Sequence, residues 1–251
     1  MSLEIFMSDI HFPFHDSTAW GLALKIIKKL RPDLLWLGGD IIDFYAVSRY
    51  DKSPARKLML QEELNVAKRE LRRLRKVAPQ ARMVYQTGNH EERFTKYLWG
   101  KAPELSVLRA LSLPELLGLD AIGAEFIDDY RPQAVGQLYH LHGHLGPGGS
   151  VNAARGKALK FKDNVIFGHH HRHQVEYQRA YSGRTIGAWA NGCLCGMEPE
   201  FDPCPQWTHG ITVVRYAKNG TFHVDQLVFF PLQDKRGLAV VVDGQLMEYR
   251  I

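Results

Sequence analysis

The sequence contains little cysteine. Only three cysteines, Cys193, Cys195 and Cys204, occur among 251 residues. An odd number does not form a complete disulfide framework, and the Cys-x-Cys spacing matches neither a Cys-x-x-Cys redox motif nor the paired spacing of thiolate zinc sites. All three are therefore expected to be reduced and structural.

The sequence also lacks long apolar runs, linker-like tracts and internal repeats. Although 45% of the residues are hydrophobic, no uninterrupted apolar run reaches the length of a membrane span. The first predicted strand begins at Leu3, which leaves no room for a signal peptide. These absences predict a cytoplasmic protein without membrane contact, folded as one domain over residues 1–251. They leave its oligomeric state open.

Five short apolar runs are each followed by a cluster of metal-binding side chains. The runs cover residues 3–7, 33–37, 82–86, 137–141 and 164–167. The clusters are Asp9-Ile10-His11, Gly39-Asp40-Ile41-Ile42-Asp43, Gly88-Asn89-His90-Glu91, His142-Gly143-His144 and Gly168-His169-His170-His171. Short runs of this kind predict buried strands, and ligands gather at the carboxyl edge of strands in an α/β sheet. One Asp-x-His would indicate a surface turn, but five clusters at one edge indicate a two-metal hydrolase.

The residue types define the expected metal chemistry. Carboxylate oxygens, imidazole nitrogens and one amide oxygen suit Mn, Fe, Zn or Ni better than Cu(I). A carboxylate such as that of Asp40 can bridge two cations about 3.5–4 Å apart, the spacing at which such pairs activate water and hold a phosphoryl oxygen. Asp40 is therefore the candidate bridge between two divalent ions.

The order of the motifs, D-x-H, G-D-x-x-D, G-N-H-E, H-G-H and G-H-x-H, resembles the calcineurin-like metallophosphoesterase family over residues 9–171. The resemblance implies one metal held by Asp9, His11, Asp40 and His171, and a second held by Asp40, Asn89, His142 and His169, with Mn as the first expectation. It implies a four-layer α/β/β/α sandwich of two mixed sheets flanked by helices. The strand-rich segment from Val175 onward is expected to form the second sheet.

The resemblance also implies roles for residues that do not bind metal. His90 would protonate the leaving oxygen and Asp43 would orient it, which suits an imidazole held by a carboxylate. His144 is interpreted as facing the substrate or supporting the ligands. His170 is expected to point away from the metals, because its two neighbours point inward.

Two arginines near the metal-binding loops are candidate substrate contacts. Arg49 and Arg93 can grip phosphate oxygens in a bidentate manner, although a solvated arginine on a helix is the alternative. Asp43 is followed by Phe44-Tyr45 rather than by Arg-Gly, which argues against a protein Ser/Thr phosphatase. The sequence around it instead looks like phosphoesterases encoded by bacteriophages and bacteria.

Much of the net charge of +5 lies on one predicted helix, residues 54–77. Its cationic residues are Arg56, Lys57, Lys68, Arg69, Arg72, Arg73, Arg75 and Lys76. The apolar residues between them recur at helical spacing, which predicts an amphipathic helix packed on the sheet. Its basic face either tracks a nucleic-acid backbone or is solvated and paired with glutamates.

Together these patterns predict a phosphoesterase with two divalent metal ions, acting on phosphomonoesters or phosphodiesters. An Mre11-like nuclease acting on DNA or RNA is one alternative, because it uses the same chemistry and the helix is basic. A non-catalytic metal-binding scaffold on the same fold is the other. The predicted ligands and His90 are all present, which argues against the scaffold.

Overall fold

The computed structural model describes residues 1–51, 59–146, 150–199 and 204–250. Its strands are β1 (Ser2–Met7), β2 (Leu34–Gly38), β3 (Arg82–Gln86), β4 (Ala124–Ile127), β5 (Gln133–Val135), β6 (Leu138–Leu141), β7 (Val165–Phe167), β8 (Gln174–Arg179), β9 (Thr185–Ala190), β10 (Gly210–Tyr216), β11 (Phe222–Val228), β12 (Phe230–Pro231), β13 (Gly237–Val242) and β14 (Gln245–Arg250). Its α-helices are α1 (Ser17–Leu30), α2 (Leu60–Val77), α3 (Glu91–Lys101), α4 (Leu113–Leu117) and α5 (Ala153–Phe161). The five predicted strands before the clusters are all present, with bounds shifted by at most one residue.

Two mixed sheets form the centre of the fold. The first has the strand order β11-β10-β1-β2-β3-β4 and the second has the order β5-β6-β7-β9-β8. Strands β1 to β4 are parallel, and β10 and β11 extend them in antiparallel pairing. In the second sheet β6, β7 and β9 are parallel, with antiparallel strands at both edges.

The two sheets pack face to face. Alternate residues of each strand point to opposite faces of its sheet, so every strand contributes side chains to the layer between the sheets. Phe6 and Trp36 of the first sheet share one buried cluster with Leu138, Ile166 and Trp189 of the second. The outer face of the first sheet packs against α1 and α2, and that of the second packs against α5. The predicted four-layer α/β/β/α sandwich is confirmed.

The prediction that all strands after Val175 build the second sheet is wrong. Only β8 and β9 join it, whereas β10 and β11 extend the first sheet and β12 to β14 form a separate three-stranded sheet beside α1. The sequence shows each hairpin through its turn, but the sheet that a hairpin joins depends on contacts far along the chain. Strands β4 and β5 were not predicted, since both are short and partly exposed.

The helix predicted over residues 54–77 is present where the chain is described. Asp16 caps α1, because its Oδ1 accepts the backbone N–H groups of Thr18 and Ala19 at 2.9 and 2.8 Å. Helix α2 begins at Leu60, and the predicted first turns at 54–58 lie outside the described residues. No helix of the described segments is both long and apolar enough to cross a membrane.

Candidate metal centre

The five predicted clusters meet where the two sheets adjoin, and not at one edge of a single sheet. The loops after β1, β2 and β3 come from the first sheet, and the loops after β6 and β7 come from the second. Contacts cross between the sheets: His142 Nδ1 donates to the carbonyl of Gly38 at 2.9 Å, and the backbone N–H of His169 donates to Asp9 Oδ2 at 2.9 Å. Both sheets are therefore needed to assemble the site.

Five of the seven predicted ligands have a left-handed backbone, which is uncommon for residues other than glycine. They are Asp9 (φ 55°), His11 (φ 55°), Asp40 (φ 53°), His169 (φ 72°) and His171 (φ 56°). Such conformations cost on the order of 1–2 kcal/mol each and persist where surrounding structure imposes them. They turn each side chain sharply away from its strand and toward the others.

Gly88 and Gly168 allow the loops to approach closely. A Cβ on Gly88 would collide with the carboxylate and backbone nitrogen of Asp40, and a Cβ on Gly168 would lie 2.5 Å from Asp9 Oδ2. The absence of a side chain is therefore a steric requirement of the site.

The first group of predicted ligands surrounds the Nε2 atoms of two histidines. His171 Nε2 lies 3.2 Å from Asp9 Oδ1 and 3.2 Å from His11 Nε2. His11 Nε2 lies 4.0 Å from Asp40 Oδ2. Asp9 and Asp40 are almost completely buried, so these donors face one another rather than solvent.

The second group shares Asp40 with the first. Asp40 Oδ2 lies 3.2 Å from His142 Nε2, which lies 3.0 Å from Asn89 Oδ1. Ligand atoms of Asp40, His142 and His169 all lie within 4.8 Å of one another. The other oxygen of Asp40, Oδ1, accepts the backbone N–H of His90 at 2.8 Å. A single oxygen, Oδ2, therefore faces both groups.

The protonation of the histidines fits a pair of cations. Burial, followed by the nearby His90, lowers the pKa of His11, and burial lowers the pKa of His169 to about 3, so both rings are neutral. Burial disfavours charge on His142 and His171 as well. However, Asp40 raises the pKa of His142 to about 9, and Asp9 raises that of His171 to about 9.

In the metal-free chain His142 and His171 therefore carry a proton at neutral pH. With its Nδ1–H donated to Gly38, neutral His142 would turn a lone pair toward two oxygens, Asn89 Oδ1 and Asp40 Oδ2. That contact is repulsive unless a proton or a cation lies between the atoms. The residues therefore fit the metal pair that the motifs imply.

His90, Asp43 and Arg93 form a connected group beside the predicted ligands. His90 Nδ1 lies 3.0 Å from the Asp43 carbonyl and 3.3 Å from Asp43 Oδ2, and that same Oδ2 lies 3.1 Å from His11 Nδ1. Burial opposes ionisation of Asp43, but hydrogen bonds from His11 and His90 outweigh it and hold the pKa of Asp43 below its ordinary value. Asp43 is therefore an anion, and its carboxylate contacts both histidines.

Arg93 lies within this group, whereas Arg49 does not. Arg93 Nη1 donates to Asp43 Oδ1 at 3.1 Å, and Nη2 donates to His90 Nε2 at 2.8 Å. His90 Nε2 also lies 3.8 Å from Asp40 Oδ2, close enough for ligation, but the guanidinium already occupies its lone pair. Arg49 is exposed and its guanidinium contacts the ring of Tyr50.

The ring of His144 packs against that of His142, a member of the second group of ligands. Its centroid is 5.4 Å from that of His142 and 4.8 Å from that of Tyr130, and burial lowers its pKa to about 4. It lines a cleft of about 440 Å³ together with Tyr130, Lys160 and Phe161. His170 packs edge-on against Phe167 and takes no part in the described groups of metal-binding atoms, as expected.

Sequence reasoning missed two residues that contact the site. Glu91 is completely buried and accepts hydrogen bonds from the loops that carry Asp40 and Gly88. It belongs to the G-N-H-E block, and that position was the available signal. Cys195 lies 3.7 Å from His171 Nδ1, a contact for which the sequence offers no signal.

The chain is similar to two solved structures and to a protein of a bacteriophage. Vps29 of Chaetomium thermophilum aligns with 100% of this chain and 99% of its own, at 11% identity and a TM-score of 0.49. The E. coli phosphoesterase Yfce aligns with 89% of this chain and 97% of its own, at 18% identity and a TM-score of 0.39. The Gene 54 protein of Mycobacterium phage L5 is 27% identical over 196 residues, covering 74% of this chain and 76% of the phage protein.

A family model described as calcineurin-like phosphoesterase matches residues 5–173. The match covers more than half of the chain and contains all five motif clusters together with the seven predicted ligands. The chain therefore belongs to the calcineurin-like phosphoesterase family.

Proposed function

We propose that the chain hydrolyses phosphate esters, either monoesters or diesters, with two divalent metal ions that share Asp40. The observation that supports the proposal most directly is the position of Asp40 Oδ2, 3.2 Å from His142 Nε2 and 4.0 Å from His11 Nε2. Asp9, His11 and His171 complete one set of ligands. Asn89, His142 and His169 complete the other.

When bound, two such cations activate water and neutralise charge on the phosphoryl oxygens. The ligand atoms are oxygens and imidazole nitrogens, which suit Mn, Fe, Zn or Ni. We propose Mn first, as the family resemblance implies. The neutral state of His11 and His169 supports metal binding, because neither ring must lose a proton before it coordinates a cation.

His90 is proposed as the general acid for the leaving oxygen, with Asp43 holding its ring through Nδ1. Arg93 now donates to His90 Nε2, the atom that must carry the transferred proton. We therefore propose that a phosphoryl oxygen replaces His90 as the acceptor for Arg93 when substrate binds. This exchange frees Nε2 to be protonated and to face the leaving group.

His144 and the cleft beside it are proposed to contact the organic group of the ester. The supporting observation is that the same side chain packs near His142 and lines the cleft with Tyr130. Arg49 is proposed as an outer contact only, because it is exposed and interacts with Tyr50.

A substrate panel with Mn²⁺ tests the proposal. The panel contains p-nitrophenyl phosphate, bis-p-nitrophenyl phosphate, cyclic nucleotides, single-stranded DNA and duplex DNA, each assayed with and without a chelator. Asp40→Asn protein purified in the same way is the control for a contaminating hydrolase. Chelator-sensitive turnover that is lost in Asp40→Asn supports the proposal. Protein that binds two metals and hydrolyses nothing in the panel would instead support the non-catalytic scaffold.

A further inference from the structure

Cys195 contacts Nδ1 of His171, and its sulfur lies within 4.8 Å of ligand atoms of both His11 and His171. Its Sγ lies 3.7 Å from His171 Nδ1, while His171 Nε2 lies 3.2 Å from Asp9 Oδ1 and from His11 Nε2. His171 thus contacts the sulfur through Nδ1 and the predicted ligands Asp9 and His11 through Nε2. Cys195 is 4% exposed, so solvent does not compete for this contact.

Two other predicted ligands have a comparable partner on Nδ1. His11 Nδ1 lies 3.1 Å from the carboxylate of Asp43, and His142 Nδ1 lies 2.9 Å from the carbonyl of Gly38. Such a partner accepts a hydrogen bond from Nδ1–H, which fixes the tautomer and directs the Nε2 lone pair at the metal. For His171, the atom in the corresponding position is the sulfur of Cys195.

The main chain around Cys195 is held against the loop that carries Asp9. Leu194 donates its N–H to the carbonyl of Asp9 at 3.0 Å, and Gly196 donates to the carbonyl of Phe14 at 2.8 Å. His209 Nε2 lies 2.8 Å from the Cys195 carbonyl. The sulfur therefore has a fixed position relative to the first group of ligands.

The ring of Trp207 packs against His171 and limits how far it can rotate. The centroid of Trp207 lies 4.3 Å from that of His171, in an edge-to-face arrangement. The aromatic ring restricts tilting, but it offers no acceptor for Nδ1. The directional contact of that nitrogen is with sulfur.

We propose that Cys195 is a positioning residue of the metal centre: its sulfur accepts the Nδ1–H of His171 and thereby presents Nε2 to the metal. This inference rests on the proposed dinuclear centre. It assigns a function to one of the cysteines that the sequence suggested were only structural.

The test compares Cys195→Ala with Cys195→Ser. Both variants remove the sulfur and leave side chains of similar size, but only serine retains an acceptor. Zn²⁺ and Mn²⁺ affinities are measured by competition with a chromogenic chelator. Cys195→Ala should weaken one of the two metals by about 10–100-fold, the usual effect of losing such a partner. Cys195→Ser should recover most of that loss.

Cys193 is unsuitable as a control, because its thiol hydrogen-bonds that of Cys195 and acts electrostatically on His171. The control is Cys204→Ala, because Cys204 is the exposed cysteine among the described residues. It should retain both metals with wild-type affinity. A metal-free melting curve for each variant detects any general loss of folding. Equal affinity in Cys195→Ala and wild type would overturn the positioning role, whereas a wild-type chain that binds no divalent metal would overturn the proposed function itself.

Two spectroscopic measurements on the wild-type chain do not depend on variant folding. In the Zn²⁺-loaded protein, ¹⁵N NMR should show His171 protonated at Nδ1, and protonation at Nε2 would overturn the inference. In the Co²⁺-loaded protein, no sulfur-to-cobalt charge-transfer band should appear. Such a band would show that the sulfur itself binds metal, which contradicts a positioning role.

Discussion

Glu91 binds the backbone of Asp40: its Oε2 accepts the Asp40 N–H at 2.9 Å. The same oxygen accepts the N–H of Gly88 at 2.8 Å, while Oε1 accepts the N–H of Ile41 and the hydroxyl of Tyr85 at 2.8 and 2.7 Å. One carboxylate thus joins the loops after β2 and β3. Burial, and then the charge of Asp40, raise the pKa of Glu91, whereas these four hydrogen bonds favour its charged form.

Glu91→Gln should destabilise the chain and weaken metal binding. The amide NH₂ would face backbone N–H groups that now donate to an oxygen, and each buried donor without an acceptor costs about 1–3 kcal/mol. We expect the free energy of unfolding to fall by about 2–4 kcal/mol in urea denaturation. The control is Glu92→Gln, which removes the ion pair with Lys96 but keeps an acceptor for the hydrogen bond with Tyr130, and should cost less than about 1 kcal/mol. Equal losses would contradict the role of Glu91.

Asp40→Asn should lose more metal than a change at any ligand that serves one ion. Asparagine tolerates the left-handed backbone at this position, so the loop should keep its shape while the shared negative charge disappears. Elemental analysis under metal-replete conditions measures the result, with Asn89→Ala as the comparison. A wild-type chain with at most one tightly bound metal would refute the two-metal proposal.

His90→Ala should leave metal content unchanged but slow turnover of an ester with a poor leaving group by roughly 10²–10⁴-fold. With p-nitrophenolate, which departs without a proton, the loss should be much smaller. The control is His223→Ala, because His223 is exposed on β11, a strand that carries none of the predicted ligands, and its loss should affect neither substrate. Similar losses for both leaving groups would show that His90 is not the acid.

The sequence predicted which residues come together better than it predicted the sheets. Asp9, Asp40 and His142 each follow a short apolar strand, so their approach to one another depends on local patterns that can be recognised one strand at a time. Whether β10 pairs with β1 depends on contacts between residues about 200 positions apart, which no local pattern encodes. The approach of these residues to one another could therefore be predicted without the correct assignment of every strand.

The residues that contact the predicted ligands and His90 could not be identified from the sequence, for a related reason. The approach of Cys195 to His171 is set by hydrogen bonds from Leu194 and Gly196 to the loop after β1. Arg93 was predicted as a phosphate contact, but its hydrogen bond to His90 Nε2 was not predicted. That bond depends on the positions of His90 at the N-cap and Arg93 in the first turn of α3. Side-chain partners of this kind follow only from the assembled fold.

The metal-free chain should lose stability as pH rises from about 6.5 to 9. His142 and His171 have pKa values of about 9 in the folded state and an ordinary value of 6.5, so their stabilising effect is complete below pH 6.5 and disappears as pH rises through 9. Each contributes on the order of 3 kcal/mol. Urea denaturation across this range measures the trend, and a flat profile would contradict it.

Metal binding should release protons for the same reason. Two cations would displace the protons of His142 and His171, so about two protons should leave per chain near pH 7.5 and almost none above the pKa values. Titration calorimetry in buffers of different ionisation enthalpy counts them. Proton release that does not depend on pH would show that metal binding does not displace protons from these histidines.

Reversing charge on the exposed face of α2 should leave hydrolysis of every substrate unchanged. The N-terminal part of α2 touches the metal-binding region, since Glu63 accepts the N–H groups of Tyr45 and Ala46 at 2.8 and 2.7 Å. Arg72 and Lys76 lie nine or more residues further along, roughly 14–20 Å at the rise of an α-helix. Arg75 bonds to backbone carbonyls, including that of Ile122 at 2.6 Å, and is structural.

We therefore expect Arg72→Glu with Lys76→Glu to hydrolyse bis-p-nitrophenyl phosphate and DNA at wild-type rates. This pair avoids Arg69 and Arg73, which bind Glu70 and whose reversal would disturb packing near Trp20. A nucleic-acid contact on this face would also make DNA affinity fall steeply with salt, because each neutralised phosphate releases counterions. Loss of DNA cleavage with intact diester hydrolysis would refute the solvated face and favour the nuclease.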